Sequence, residues 1–216
     1  MKNIAIVLSG CGFKDGTEIT EAVSALVNLS EFGANCAIFS PDFEFVSINH
    51  LSDSEGESRS LLVESSRITR GKIQPLSELD TEQFDGVVFP GGFGAAKHLC
   101  NWAEKGSACD VNLNAKRVVE EFYTASKPIA AFCIAPVLIA KVLGQHSVSL
   151  TIGDNKEVAA EIEKTGAQHE ACPVDDFITD RLNKVITTPA YMYGEAKPHE
   201  VFYGIKKTLK EFYEMS

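Results

Sequence analysis

Cys133 closes an apolar run, Ile129-Ala130-Ala131-Phe132, and is followed at once by Ile134-Ala135-Pro136-Val137, which reads as the opening of a helix. A thiol on so tight a strand-to-helix turn sits in a strained backbone that pushes its side chain into a cleft, and the turn needs small residues two positions either side. Ala131 and Ala135 meet that need, and Pro136 suits a first helical turn, where its missing N–H costs nothing. The helix N-terminus faces the sulfur, so its partial positive charge is expected to lower the thiol pKa. The competing reading is a cysteine packed as a small hydrophobe.

A second run, Val87-Val88-Phe89, ends in Pro90-Gly91-Gly92-Phe93-Gly94. The amides of Gly91 and Gly92 then lie at the carboxyl edge of a sheet, where open α/β folds bind ligands, and can donate to a developing oxyanion. Neither this segment nor Ser9-Gly10-Cys11-Gly12 completes a dinucleotide fingerprint, and no phosphate-loop signature occurs. No cofactor is expected.

Glu18 is the third candidate. Asp15 and Glu18 have the spacing of a capping box, which would make Glu18 a helix-start residue only. Yet Glu18 lies four residues before Ala22 and eight before Leu26, which places it on the apolar stripe facing the sheet. Desolvation and a nearby thiolate would raise its pKa, so a protonated Glu18 could bond the sulfur and shuttle a proton.

Cys11, after the first strand, is a possible second thiol in the site, and His169 a possible imidazole brought in through space; both also fit simple packing. His169 and Cys172 stand three apart, His98 and Cys100 two apart, and neither pair has metal-ligand spacing, so no metal is expected.

The elements that must position these groups alternate short β-branched runs with helical patterns. That alternation predicts an α/β fold with a mainly parallel central sheet and helices on both faces. Strands are expected at 4–8, 36–40, 86–89, 129–132, 148–152 and 185–188. A helix with Ile19, Ala22, Val23, Leu26 and Leu29 on its buried face should end at Gly33. Others are expected at 112–126, burying Leu113, Val118, Val119 and Phe122, at 155–165 with Gly166 as cap, and from Pro198 towards Glu214, burying Val201, Phe202, Ile205, Leu209 and Phe212. Residues 42–80, rich in Ser, Asp and Glu, read as an irregular excursion from a single domain spanning 1–216, with a short helix near 59–66 and a lid or oligomer contact as a lesser alternative to a solvated loop.

The 20 Lys and Arg against 30 Asp and Glu leave a net charge of −10, which would repel nucleic acid and anionic membranes; a small neutral or carbonyl substrate fits better. No run is long enough to span a membrane, no cleavable leader is expected, and six irregularly spaced cysteines suit reduced thiols in a cytoplasm.

The chain resembles the ElbB family, named for enhancing lycopene biosynthesis, within the PfpI-type, class I glutamine amidotransferase-like superfamily. The resemblance runs nearly the whole length. It is carried by Leu8-Ser9-Gly10-Cys11-Gly12, Asp15-Gly16 with Glu18-Ile19, Ile48-Asn49-His50, Arg67-Ile68-Thr69-Arg70-Gly71 and Pro90 through Lys97. Cys133-Ile134-Ala135-Pro136, Leu150-Thr151-Ile152-Gly153, Cys172 through Asp176 and Thr187 through Met192 complete it. It implies a flavodoxin-like three-layer sandwich, a nucleophile at Cys133, a glutamate partner at Glu18, and oxyanion amides at Gly92 and Ile134. It further implies glutathione-independent conversion of glyoxal to glycolate, a link to isoprenoid biosynthesis, and self-association as a homodimer or other homo-oligomer.

The sequence departs from the amidotransferase pattern: Ile134 follows the cysteine, and Gly153 stands where relatives carry a histidine. Amide hydrolysis needs a general acid for a poor leaving group, so that activity is disfavoured. A thiol addition to an aldehyde is less demanding. The alternatives are a redox-sensing or partner-binding regulatory protein and an amide hydrolase or amidotransferase.

Overall fold

The computed structural model describes residues 1–216. Its strands are β1 (Asn3–Val7), β2 (Asn35–Ser40), β3 (Glu44–Ile48), β4 (Glu55–Ser60), β5 (Gln74–Pro75), β6 (Gly86–Phe89), β7 (Ile129–Phe132), β8 (Ser149–Leu150), β9 (Gln168–His169), β10 (Ile178–Asp180) and β11 (Val185–Thr188). The α-helices are α1 (Ile19–Glu31), α2 (Leu61–Ser66), α3 (Trp102–Lys105), α4 (Leu113–Thr124), α5 (Pro136–Leu143), α6 (Lys156–Glu163) and α7 (Pro198–Met215).

Seven strands form the central sheet in the order β10-β11-β7-β6-β1-β2-β5. Every neighbouring pair is parallel except β10 with β11. Alternation along the strands sorts the core into two layers: Ala5, Val7, Val87, Phe89, Ile129 and Ala131 pack on one side, and Ile4, Ile6, Val88, Ala130 and Phe132 on the other. Residues of α4 and α5 complete the first layer, and those of α1 and α7 the second. This is the expected sandwich, and near-continuous apolar strands are what a sheet covered on both faces requires.

Three expectations need correction. The 148–152 run contributes only β8, which pairs with β9 in a separate two-stranded sheet. Residues 42–80 are more regular than their composition suggests: β3 and β4 form an antiparallel hairpin, α2 follows, and β5 returns to the edge of the central sheet beside Phe39 and Ser40. The hairpin is exposed on one face, so its polar residues satisfy a strand pattern without adding core.

The third correction concerns α1. Its buried residues are Glu21, Ala22, Ser24, Ala25, Asn28 and Leu29, while Ile19, Val23 and Val27 are exposed and Leu26 is half-buried. Small side chains let the helix lie close to α7 and the sheet, so the buried stripe is rotated from the one that bulk hydrophobicity suggests. Leu113 and Phe202 also miss full burial, the former because it opens its helix at the surface. Gly33 and Gly166 adopt positive φ just beyond α1 and α6, as expected of helix terminators.

Candidate active site

The chain order places β2 on one side of β1 and β6, β7 and β11 on the other, so the sheet reverses direction of growth between β1 and β6. Ligands bind outside the carboxyl ends of the strands at such a point. Three loops converge there, following β1, β6 and β7. The first two are fastened together: the Phe93 amide donates to the Phe13 carbonyl at 2.7 Å, Gly94 to Gly16 at 2.9 Å and Glu18 to Gly91 at 2.9 Å.

Cys133 follows β7 with φ of 57°, a left-handed conformation that is costly for a residue with a side chain. Its amide is held by the Thr188 carbonyl at 3.0 Å. The amides of Gly92 and Ile134 favour the ionised form of its sulfur. Gly91 and Gly92 cannot be replaced freely: a Cβ on Gly91 would lie 2.5 Å from Cys133 Cβ, and one on Gly92, whose φ is +92°, would lie 2.3 Å from the Gly16 carbonyl oxygen.

The carboxyl that faces the sulfur belongs to Glu21: a Cβ added at Gly91 would lie 2.5 Å from Cys133 Cβ and 2.9 Å from Glu21 Oε2, and each group shifts the other's pKa. Glu21 is fully buried; its Oε2 accepts from the Gly91 amide at 2.8 Å and its Oε1 from the Tyr191 amide at 3.3 Å. Ala190, just before Tyr191, is a second left-handed non-glycine residue, with φ of 44°. Two strained turns therefore flank one buried carboxyl.

Glu18 occupies a different role. It is itself the N-cap of α1, and its Oε2 accepts from the Glu21 amide at 2.7 Å. Asp15 does not cap the helix: its carboxylate accepts from Ile48 at 2.5 Å and its carbonyl from His98 Nε2 at 2.8 Å. Glu18 still lines the cavity above Cys133, so the structure brings it to the site, one helical turn from Glu21.

Burial and the charge of Glu18 push Glu21 up to about 8, against the amides of Gly91 and Tyr191, which favour its ionised form. Burial also raises Glu18, opposed by backbone amides at the helix start. Cys133 is driven well above the ordinary thiol value by burial and then by Glu21. The expected lowering by the helix dipole is thus outweighed. A buried thiol and carboxyl in contact cannot both be charged cheaply, so they titrate as a pair.

The cavity over the sulfur has a volume of about 570 Å³ and is lined by Phe13, Glu18, Gly92, Phe93, Cys133, Ile134, Asn155, Val158, Tyr191, Met192 and Gly194. No histidine is among them. His169 lies at β9, where its Nε2 accepts from Ile152 at 3.3 Å, and does not supply the missing imidazole. Gly153 sits with φ of +91° against the Tyr193 ring. Cys11 also stays outside the cavity; burial and Glu64 raise its pKa. No residue of 42–80 lines the cavity; His50 braces the first loop, its ring edge-on to Phe13 at 5.5 Å. No cluster of three His, Cys, Asp or Glu side chains could hold a metal, and no helix is long and apolar enough to cross a membrane.

A model of the DJ-1/PfpI family matches residues 5–188. The human glutamine amidotransferase-like class 1 domain-containing protein 3, mitochondrial, is 45% identical over 225 aligned positions, covering 99% of this chain and 83% of that protein. The rat ES1 protein homolog, mitochondrial, is 44% identical over 99% of this chain and 84% of its own length. A crystal structure of an isoprenoid biosynthesis protein with an amidotransferase-like domain from Ehrlichia chaffeensis superposes with a TM-score of 0.94 at 33% identity, covering 100% of this chain and 99% of that one.

Proposed function

The chain belongs to the DJ-1/PfpI family, and from that premise we propose that it is a cysteine-dependent, glutathione-independent glyoxalase of the ElbB type, converting a small α-oxoaldehyde to a hydroxy acid. The observation that carries this reading is the buried Glu21 carboxyl set beside Cys133 beneath a cavity without an imidazole. One carboxyl and two amides suffice for aldehyde chemistry but supply no strong general acid for an amide leaving group.

The singly charged pair rests as carboxylate and thiol, the sulfur being the weaker acid, and Glu21 takes the thiol proton as the sulfur attacks. Sulfur bonds to the aldehyde carbon, the carbonyl oxygen takes up the proton from Glu21, and a hemithioacetal forms. The amides of Gly92 and Ile134 stabilise negative charge first on sulfur and then on the oxygen beside it. The Glu21 carboxylate next removes the C–H proton and returns it to the neighbouring carbon through an enediol, leaving a thioester. Water hydrolyses the thioester, freeing the thiol. For glyoxal the sum is one aldehyde plus one water to glycolic acid: one carbon is oxidised as the other is reduced, and no outside oxidant is needed.

Glu21 takes the acid/base role assigned from sequence to Glu18, which acts on Glu21 through its charge and holds the helix start. The Ehrlichia chaffeensis structure supports placement in the ElbB branch. The proposal includes a reducing, cytoplasmic setting and a homodimer or other homo-oligomer; Ile19, Val23 and Val27, exposed along one side of α1, support self-association. Hydroxy acid formation by the wild type, Cys133→Ala and Glu21→Gln proteins is the test. Turnover abolished in Cys133→Ala supports the enzyme; no turnover in the wild type, with peroxide oxidising Cys133 ahead of the other five thiols, supports a redox sensor instead.

A further inference from the structure

We infer that the cavity over Cys133 selects uncharged compounds bearing an apolar substituent of aromatic size, so that the carbonyl substrate is an aryl-substituted α-oxoaldehyde rather than glyoxal itself or any anion. This rests on the glyoxalase reading for the chemistry, but the selection is a property of the walls. A volume of about 570 Å³ falls within the range of about 300–1,000 Å³ that holds ligands of drug size. A two-carbon dialdehyde would touch only the floor.

Above that floor the walls are Phe13, Phe93, Ile134, Val158, Tyr191 and Met192. Phe13 and Phe93 line the cavity and are about half exposed, at 47% each, so much of their apolar surface is left open to solvent. Burial of that apolar surface by a substituent is favourable at roughly 25 cal/mol per Å², whereas an aldehyde alone leaves it wet.

Charge selection follows from what is missing and what is present. No lysine or arginine lines the cavity, and its one charged side chain is the Glu18 carboxyl. Lys14 and Lys97 lie against the rings of Phe13 and Phe93, but they are engaged there, Lys14 with Asp53 and the His50 carbonyl, Lys97 with the Lys14 carbonyl at 3.1 Å. A carboxylate, an amino acid such as glutamine, or an isoprenoid diphosphate would enter beside Glu18 and Glu21 with no counter-charge, and desolvating an unpaired anion is expensive. Of the polar side chains, Asn155 already spends its oxygen capping α6.

The test has two arms on the full-length protein. The first compares kcat/KM for glyoxal, methylglyoxal and phenylglyoxal by hydroxy acid formation; phenylglyoxal should exceed glyoxal at least about tenfold, as one displaced apolar group can deliver. The second needs no turnover: alkylation of Cys133 by iodoacetate, iodoacetamide and N-phenyl iodoacetamide, read by peptide mass spectrometry and normalised to each reagent's rate with glutathione. The neutral aromatic reagent should lead and the anion trail, again by about tenfold or more end to end. Val158→Arg, a half-buried wall position, should reverse that order, and Phe93→Ala should reduce the advantage of the aromatic reagent. Iodoacetate labelling as fast as the aromatic reagent, or glyoxal outperforming phenylglyoxal, overturns the inference. Absence of all turnover with the alkylation order intact upholds the selectivity of the cavity and removes the glyoxalase reading alone.

Discussion

The carboxyl of Glu21 and the sulfur of Cys133 meet across a gap that Gly91 keeps clear. A Cβ at Gly91 would stand 2.5 Å from Cys133 Cβ, 2.7 Å from the Phe132 carbonyl oxygen and 2.9 Å from Glu21 Oε2. The same glycine donates its amide to Glu21 at 2.8 Å. One residue thus supplies both the space and an orienting bond for the pair.

Gly91→Ala is therefore expected to destabilise the protein by roughly 1–3 kcal/mol, the usual cost of an added methyl in a packed site. It should also part Glu21 from the sulfur. Denaturant unfolding measures the first effect. Iodoacetamide labelling of Cys133 reads the second, and wild-type kinetics in the variant would remove the geometric argument.

The pair also sets a pH dependence. With Glu21 raised to about 8, the reactive, singly deprotonated state should accumulate as pH rises through that value. Alkylation of Cys133 is expected to rise with an inflection near about 8, and Glu21→Gln should abolish that inflection. A profile unchanged by the substitution would mean that Glu21 does not titrate with the sulfur.

Stability carries the same signature with a definite sign. The folded state keeps a proton on Glu21 that the unfolded chain releases at the ordinary carboxyl value of 4.5, so this stabilisation is whole below that value and is lost as pH rises through about 8. Relative to Glu21→Gln, the wild type should lose a few kcal/mol between about pH 4 and pH 9. Urea midpoints of both proteins across that range give the difference directly.

Glu18 is separated from Glu21 by two substitutions. Glu18→Gln keeps an oxygen for the cap and removes the charge that raises Glu21, so the alkylation inflection should move to lower pH. Glu18→Ala loses the cap as well, at about 1 kcal/mol. If Glu18→Gln abolished turnover without moving the inflection, Glu18 would be acting on the substrate itself.

The 42–80 excursion braces the site without covering it. His50→Ala removes the ring set against Phe13 and the acceptor for the Lys14 amide, and should slow turnover only through a looser Phe13 wall. Labelling of Cys133 by iodoacetamide is expected to stay within about twofold of wild type, since no residue of this hairpin lines the cavity over the sulfur. A much larger acceleration would assign the hairpin the lid role after all.

What the sequence determined by itself is local. The strands Gly86–Phe89 and Ile129–Phe132 are apolar runs and Val185–Thr188 a β-branched one, and the thiol turn at Cys133 is legible because Ala131, Ala135 and Pro136 satisfy its sterics at neighbouring positions. The Gly-Gly turn at Gly91 and Gly92 is legible for the same reason. The partner carboxyl was decided by tertiary packing. Glu18 and Glu21 are three residues apart on one helix, and the choice between them turns on a rotation of α1 that follows from Ala22, Ser24 and Ala25 packing closely, not from the larger Ile19 and Val23. Bulk marks a buried stripe only when the facing surface has room for it, and α7 and the sheet leave room for small side chains. The rise of the Cys133 pKa was likewise beyond sequence, since the helix dipole is local whereas desolvation depends on every chain segment that closes over the sulfur.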